Sequence, residues 1–476
     1  MKWKAVLLLT AVILSVCVSF SNNGSKNKQS GNAGDDRKAI VEGDRTQAAA
    51  ESESRTNSDQ QKETVLVEKD EISASTAITE ESHPSLSEVP FRYSTEKEVI
   101  TLRKDPYLPK PDTSYVTEEM LQNAVLSEGD LTRLVTAMRK AQNGEEITVG
   151  VIGGSITQGL STTDSQYSFG NLFYEWWLQA FPQTKVNYVN AGIGATNSYL
   201  GVHRVDKDLL VKKPDVVIVE FSVNDSDNEF YQASYEDLIR KLMKSENSPA
   251  VILLFMTMED GTSAELSHSQ IGYYYDLPQI SYRQSVLKEI RKGTFRWKDI
   301  SPDNIHPNNK GHAIAGELLW NYLNYVYAKQ DTIINEVQPL KVKPLFQEAY
   351  KDATILNSKT LLPVRIGSFE IGKGIGWFKN SWNTSGGDKP IVFELEAQNI
   401  GILYYRTPDN LSGQIEVYID GEYNCTLDAD YNGGRGNYYV STEVYRSEKK
   451  GRHRIELRRA KTSEKDKFCI LGLLIS

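Results

Sequence analysis

Ser155 stands directly after Gly153-Gly154, at the end of the uncharged run Val149-Gly150-Val151-Ile152. Such a run reads as a buried strand, and open α/β sheets bind their ligands beyond the carboxyl ends of such strands. A serine hydroxyl is a weak nucleophile until a neighbouring base takes its proton, and that base needs a partner to fix its tautomer. His306 can be the base. Asp303 lies three residues upstream in a Pro- and Asn-rich turn, where a short loop can fold its carboxylate back onto the imidazole. Acyl transfer also needs donors aimed at the oxyanion that develops on the attacked carbonyl. The backbone N–H of Ser155, a backbone N–H near Gly194 and the side-chain amide of Asn224 would supply them. Taken singly, Ser155 could cap a helix, Asn224 could close an Asx-turn and Asp303 could cap the last helix. Their joint placement favours the chemical reading.

These residues need a scaffold that ends several strands at one edge. From Ile147 onward strand-like and helix-like stretches alternate. Strands are expected from Ile147 up to Ser155 and at residues 186–189, 216–220 and 250–258. Helices are expected at residues 169–181, 199–211, 235–245, 281–292 and 313–327. The loops with Ser155, Gly194 and Asn224 follow three of the strands, and Asp303 and His306 precede the last helix. The alternation predicts a doubly wound α/β domain with a parallel sheet. Residues 117–143 carry a helical pattern stopped by Gly144, and residues 259–280, with His268, read as a long irregular binding loop. Phe173, Trp176 and Trp177 read as core, and His203 and His312 as structural groups bonded to backbone.

Four stretches follow one another in order: Gly153-Gly154-Ser155-Ile156-Thr157, the glycine turn of residues 190–196, Ser222-Val223-Asn224-Asp225, and residues 303–312. The set resembles the sequence blocks of the SGNH hydrolase family, also called GDSL hydrolases, over residues 145–327. The resemblance implies a three-layer α/β/α domain with esterase chemistry. It makes Ser155 the nucleophile, His306 and Asp303 the rest of a triad, and Ser155, Gly194 and Asn224 the oxyanion hole. It implies no cofactor. Gly154 stands where the name-giving pattern has Asp, a departure expected to leave the chemistry untouched, and the donor of the glycine turn could be Gly192, Gly194 or Ala195. Other templates fit less well. Thr157 interrupts G-x-S-x-G, residues 150–159 do not match G-x-G-x-x-G, and no phosphate-loop, CxxC or HExxH pattern supports a nucleotide or metal site.

The 476 residues suggest two or three folded units, and a net charge of −9 argues against nucleic acid as a partner. Residues 1–21 read as a signal peptide: Lys2 and Lys4 precede an apolar run too short to span a bilayer. Leu14-Ser15-Val16-Cys17 resembles a lipoprotein box, with Val16 a poor fit before the Cys. Residues 22–88 are polar, contain no Phe, Tyr or Trp, and read as a disordered tether. The catalytic unit is expected at residues 89–330 and a second unit at residues 331–476.

In that last stretch short alternating runs are separated by turn residues, and Asp420-Gly421 is a hairpin signal. The pattern predicts an all-β, jelly-roll-like sandwich, similar in general look to the modules that accompany polysaccharide esterases. Trp377, Trp382, Tyr431, Tyr438 and Tyr439 could form a sugar-stacking face or belong to core and interface. Residues 449–459 are basic and read as a solvated edge hairpin. Whether Cys425 and Cys469 pair is left open by the sequence.

Together these readings predict a secreted or cell-surface serine esterase that removes short acyl groups from a polysaccharide or small ester. Membrane or wall association would run through the N-terminal region. The alternatives are a wall or capsule O-acyltransferase and a non-catalytic glycan-binding protein.

Overall fold

A computed structural model describes residues 112–333, 336–341, 343–432 and 436–476. The expected signal peptide, Cys17, the tether and the strand-like pieces of residues 89–111 lie outside the described residues. The first half runs α1 (Glu118–Ala124), β1 (Val125–Ser127), α2 (Thr132–Gln142), β2 (Ile147–Gly153), α3 (Ser155–Gln158), α4 (Phe169–Ala180) and β3 (Val186–Gly192). It continues through α5 (Ser198–Asp208), β4 (Val216–Glu220), α6 (Glu229–Lys244), β5 (Ala250–Phe255), α7 (Glu265–Tyr274) and β6 (Gln279–Ser281). Helices α8 (Tyr282–Lys292), α9 (Trp297–Ile300) and α10 (Asn309–Lys329) close it.

These strands form a sheet in the order β1-β6-β5-β4-β2-β3, parallel throughout except for β1 at the edge. Every residue of β2, β4 and β5 is buried, as strands covered by helices on both faces must be. Alternate side chains feed two cores. Val149, Val151, Ile218 and Ile252 join α2, α4, α8 and α10, including Trp176 and Trp177. Val217, Val219, Leu253 and Phe255 face the other way, onto α5 and α6. Short polar side chains start the helices: Ser168, Asn197, Asn228, Ser281 and Asn308 each accept a backbone N–H of the first turn.

The second half holds β7 (Thr354–Leu356), β8 (Phe369–Gly372), β9 (Ser381–Thr384), β10 (Ile391–Arg406), β11 (Gln414–Ile419), β12 (Glu422–Asp428), β13 (Tyr438–Arg459) and β14 (Cys469–Ile475). All pair antiparallel, in the order β12-β11-β13-β10-β14-β9-β8 with β7 beside β14. The Asp420-Gly421 turn has positive φ at both residues, as a two-residue hairpin requires. Ile400, Ile402, Ile470 and Leu473 fill the core of this layer. Leu403, Leu471 and Leu474 face out of it and pack with Tyr199, Leu200, Leu238 and Ile239 of α5 and α6. The two sheets therefore share one apolar core.

The chain between the sheets is strapped to α6. Glu236 accepts the N–H groups of Leu345 (2.5 Å) and Phe346 (2.7 Å), Asp237 that of Tyr350 (2.6 Å), and Arg240 pairs with Glu348 at 3.0 Å.

Several local expectations are corrected. The single helix over residues 117–143 is two helices around a short strand, because Gly129 takes φ +64° and packs against the backbone of Leu277 and Pro278. The loop of residues 259–280 contains α7 and β6. The basic stretch is not an edge: β13 pairs with β10 on one side and β11 on the other. Its arginines reach carboxylates on those neighbours, Arg452 and Arg454 to Glu394 and Arg458 to Glu416. Among the described residues Cys425 and Cys469 are free thiols. The aromatic set divides: Trp382 is fully buried, Tyr431 packs edge-on against Tyr438, and Trp377 is 57% exposed.

Leu474 is fully buried in the shared core. Leu474→Ala should cost about 2–5 kcal/mol. Because the core is common to both sheets, urea melts followed by tryptophan fluorescence and by far-UV circular dichroism should shift together. Separate transitions for the two sheets would contradict a shared core.

Candidate functional site

The parallel register sets the site. Gly153, the last residue of β2, lies beside Gly192 of β3 and Glu220 of β4, so three strands end at one level. Arg204 of α5, 1% exposed, clamps two of those ends by donating to Ala191 O at 2.7 Å and to Gly153 O at 2.9 Å. Beyond Gly153 the chain turns at once into α3, with Ser155 as its first residue and Gly154 as its cap. Ser155 is thus not the helix cap. It is 6% exposed. Asn190 ties the turn to β3 by donating its amide to Thr157 O at 2.9 Å.

His306 arrives from a turn stitched on several sides. Asp303 O accepts from the Trp297 indole at 2.6 Å, the Ser301 hydroxyl bridges Asp303 O and His306 O at 2.7 Å each, and Glu259 N donates to Asn304 O at 2.9 Å. Asn308, not Asp303, caps α10. The result is a continuous contact: Ser155 Oγ to His306 Nε2 at 2.9 Å, and His306 Nδ1 to Asp303 Oδ2 at 2.8 Å. The other carboxylate oxygen, Oδ1, accepts the backbone N–H groups of Ile305 (2.8 Å) and His306 (2.7 Å). Partial burial alone would push the Asp303 carboxyl up, but these N–H donors and the imidazole outweigh it and hold it below the usual carboxylate range. An ionised Asp303 fixes Nδ1 as the protonated nitrogen and leaves the Nε2 lone pair facing the serine hydroxyl.

Gly194 and Asn224 both lie against the Ser155 turn. A Cβ at Gly194 would sit 3.9 Å from Ser155 Cβ. The Gly194 N–H is engaged by the exposed side chain of Gln158, donating to its Oε1 at 2.7 Å. A Cβ at Gly154 would come within 2.2 Å of Asn224 Oδ1. The Gly154 departure therefore does bear on the site, because a side chain there would displace the Asn224 amide. Asn224 Oδ1 is buried without a hydrogen-bond partner, so the amide is not closing an Asx-turn. His203 Nδ1 contacts Tyr199 O at 2.7 Å and His312 Nδ1 accepts from Phe169 N at 3.2 Å, both backbone contacts. Among the described residues no three His, Cys, Asp or Glu side chains converge as a metal site.

Sequence reasoning missed Gln158, Arg204 and Glu220. Arg204 stands one turn after Leu200 on the inner face of α5, and Glu220 ends an otherwise apolar strand. A lone charge in either setting is the available signal. Glu220 is fully buried beneath the Ser155 turn and accepts from Thr157 Oγ1 at 3.1 Å.

A model of the GDSL-like lipase/acylhydrolase family matches residues 151–314. A solved structure of a two-domain esterase active on acetylated mannans shares 31% identity with a TM-score of 0.71, over 75% of this chain and 98% of its own. The same esterase co-crystallised with mannopentaose shares 30% identity with a TM-score of 0.69, over 75% and 97%. No curated protein matches.

Burial pushes the Glu220 carboxyl up to about 7, the Thr157 and Ser222 hydroxyls pull against the rise, and the nearby Asp225 charge adds to it. Folded Glu220 thus keeps a proton that the unfolded chain releases above about 4.5. Its contribution to stability is full below that value and is lost as pH rises through about 7. Glu220→Gln should remove this loss. Urea melts between about pH 4.5 and pH 8 should show the variant gaining on the order of 3 kcal/mol relative to the parent across the window. A gain in the opposite direction would overturn the assignment of a protonated Glu220.

Proposed function

Because this chain belongs to the GDSL-like lipase/acylhydrolase family, we propose that it is a serine esterase removing acetyl groups from a polysaccharide, with acetylated mannan the first substrate to test. The observation that carries the mechanism is the unbroken contact from Ser155 Oγ through His306 to Asp303. The polysaccharide assignment is supported by the 31% identity to an esterase active on acetylated mannans, over 98% of that chain.

Ser155 Oγ attacks the acetyl carbonyl as His306 Nε2 takes its proton, and Asp303 steadies the imidazolium. The oxyanion is held by the backbone N–H of Ser155, the Gly194 N–H and the Asn224 amide, with the Gln158 side chain withdrawn from Gly194. On collapse the sugar oxygen leaves with the proton from His306 and the acetyl group stays on Ser155. Water then attacks the acyl-enzyme with His306 again as base, releasing acetate and restoring the hydroxyl. Residues 1–21, read as an export signal, would place this reaction outside the cell, where such polymers are found.

Release of acetate from acetylated mannan should fall by at least about 10⁴-fold in Ser155→Ala. Equal rates for variant and parent would sink the proposal. Asn224→Ala should lower kcat by about 10²–10³ with little change in KM. Gln158→Ala frees the Gly194 N–H. If the amide oxygen competes with the substrate carbonyl, KM for a small aryl acetate should drop by about 2- to 10-fold, the net value of one hydrogen bond. An unchanged KM would show that the Gln158 contact does not compete.

A further inference from the structure

We propose that Asp225 and His268 form a second carboxylate–imidazole pair, buried behind the site, that holds the Asn224 loop and the Gly194 loop in register. Both would be positioning residues for the oxyanion hole, and the inference rests on the role given above to Asn224.

One carboxylate touches three elements. Asp225 follows Asn224 in a turn closed by the N–H groups of both residues on Phe221 O, at 2.9 and 3.0 Å. Its Oδ1 accepts the backbone N–H of Ser198 at 2.9 Å. Ser198 is the first residue of α5, reached directly from the turn that carries Gly194. Its Oδ2 meets His268 Nε2 of α7 at 3.1 Å. Both side chains are wholly shielded from solvent. A carboxylate left unpaired at such a depth is strongly unfavourable, so the imidazole N–H is what lets Asp225 remain an acceptor for Ser198.

His268 is itself held. Its ring lies flat on Tyr235 of α6, with centroids 3.6 Å apart and planes 4° from parallel. The start of α7 is tied to the same loop, by Ala264 N to Ser222 O at 2.7 Å and Ser267 Oγ to Asp227 Oδ1 at 2.7 Å. His268 Nδ1 is buried without a partner. The ring therefore serves through Nε2 alone. What it does is fix Asp225, which fixes the spacing between two donors to one oxyanion, and a misplacement of about 1 Å at such donors costs on the order of 10²-fold in rate.

The test is a set of variants of the full chain assayed on 4-nitrophenyl acetate. His268→Leu should lower kcat by about 10- to 100-fold with KM within about 2-fold. His268→Gln, whose amide can donate to Asp225, should recover most of the loss. In an Asn224→Ala background His268→Leu should cost less than about 3-fold more, because the donor it positions is already gone. If Asn224→Ala alone costs little, the oxyanion role of Asn224 fails and the pair loses its purpose. If Asn224→Ala is costly and the two losses simply multiply, or if His268→Leu leaves kcat unchanged, the positioning role is overturned while the esterase reading stands. Should His268→Leu fail to fold, Asp225→Asn, which keeps an acceptor for Ser198 but disturbs the bond to His268, carries the same comparison in both backgrounds.

Discussion

The mechanism proposed for this chain depends on a 2.9 Å contact between residues 151 positions apart, Ser155 Oγ and His306 Nε2. Neither partner is free to search for the other. Ser155 is set by the abrupt end of β2 and the immediate start of α3, and His306 by a turn whose backbone is bonded to Trp297, Ser301 and Glu259. In the proposed mechanism such fixed geometry would convert a sluggish hydroxyl into a nucleophile, since the entropy of alignment is spent in folding rather than in the reaction.

That alignment is maintained by ionisable side chains hidden where a purely apolar core would be simpler. Arg204 joins the ends of β2 and β3, Glu220 lies under the Ser155 turn, and Asp225 links the loops after β3 and β4. Each is costly to bury and each is compensated by bonds to backbone or to a neutral partner. The register of a parallel sheet brings strand ends to one level to within a residue, and these polar groups set the finer spacing that catalysis of this kind requires.

The parts of the fold that were legible in the sequence are those whose burial follows a simple period. The apolar strands β2, β4 and β5 and the capped helices between them read directly, and the four loop stretches named the residues that the fold brings together. Helix α7 was invisible for a physical reason. Its buried face is Glu265, Ser267, His268, Ser269, Ile271 and Gly272, mostly polar, so no apolar stripe marks it. The long strands β10 and β13 read as broken because polar residues interrupt them near Asn399 and Arg446, where the pairing register shifts. The basic stretch of β13 read as an edge because its strand neighbours and carboxylate partners are distant in sequence, beyond the reach of local patterning.

The packing makes the second sheet more than an attachment to the parallel one. Helix α5 begins just after the Gly194 turn, and its cap, Asn197, accepts a bond from Ser441 of β13 at 3.4 Å while donating to Tyr231 of α6 at 3.2 Å. Its outer face, with Tyr199, lies in the same buried cluster as Leu403, Leu471 and Leu474. Removing the sheet would expose that face and leave α5 supported only by α6 and the parallel strands. Since α5 also carries Arg204 and offers Ser198 N–H to Asp225, its orientation reaches the Ser155 turn and the Asn224 loop alike. The antiparallel sheet is thus part of the structure that orients α5, and through it the loops that carry Gly194 and Asn224.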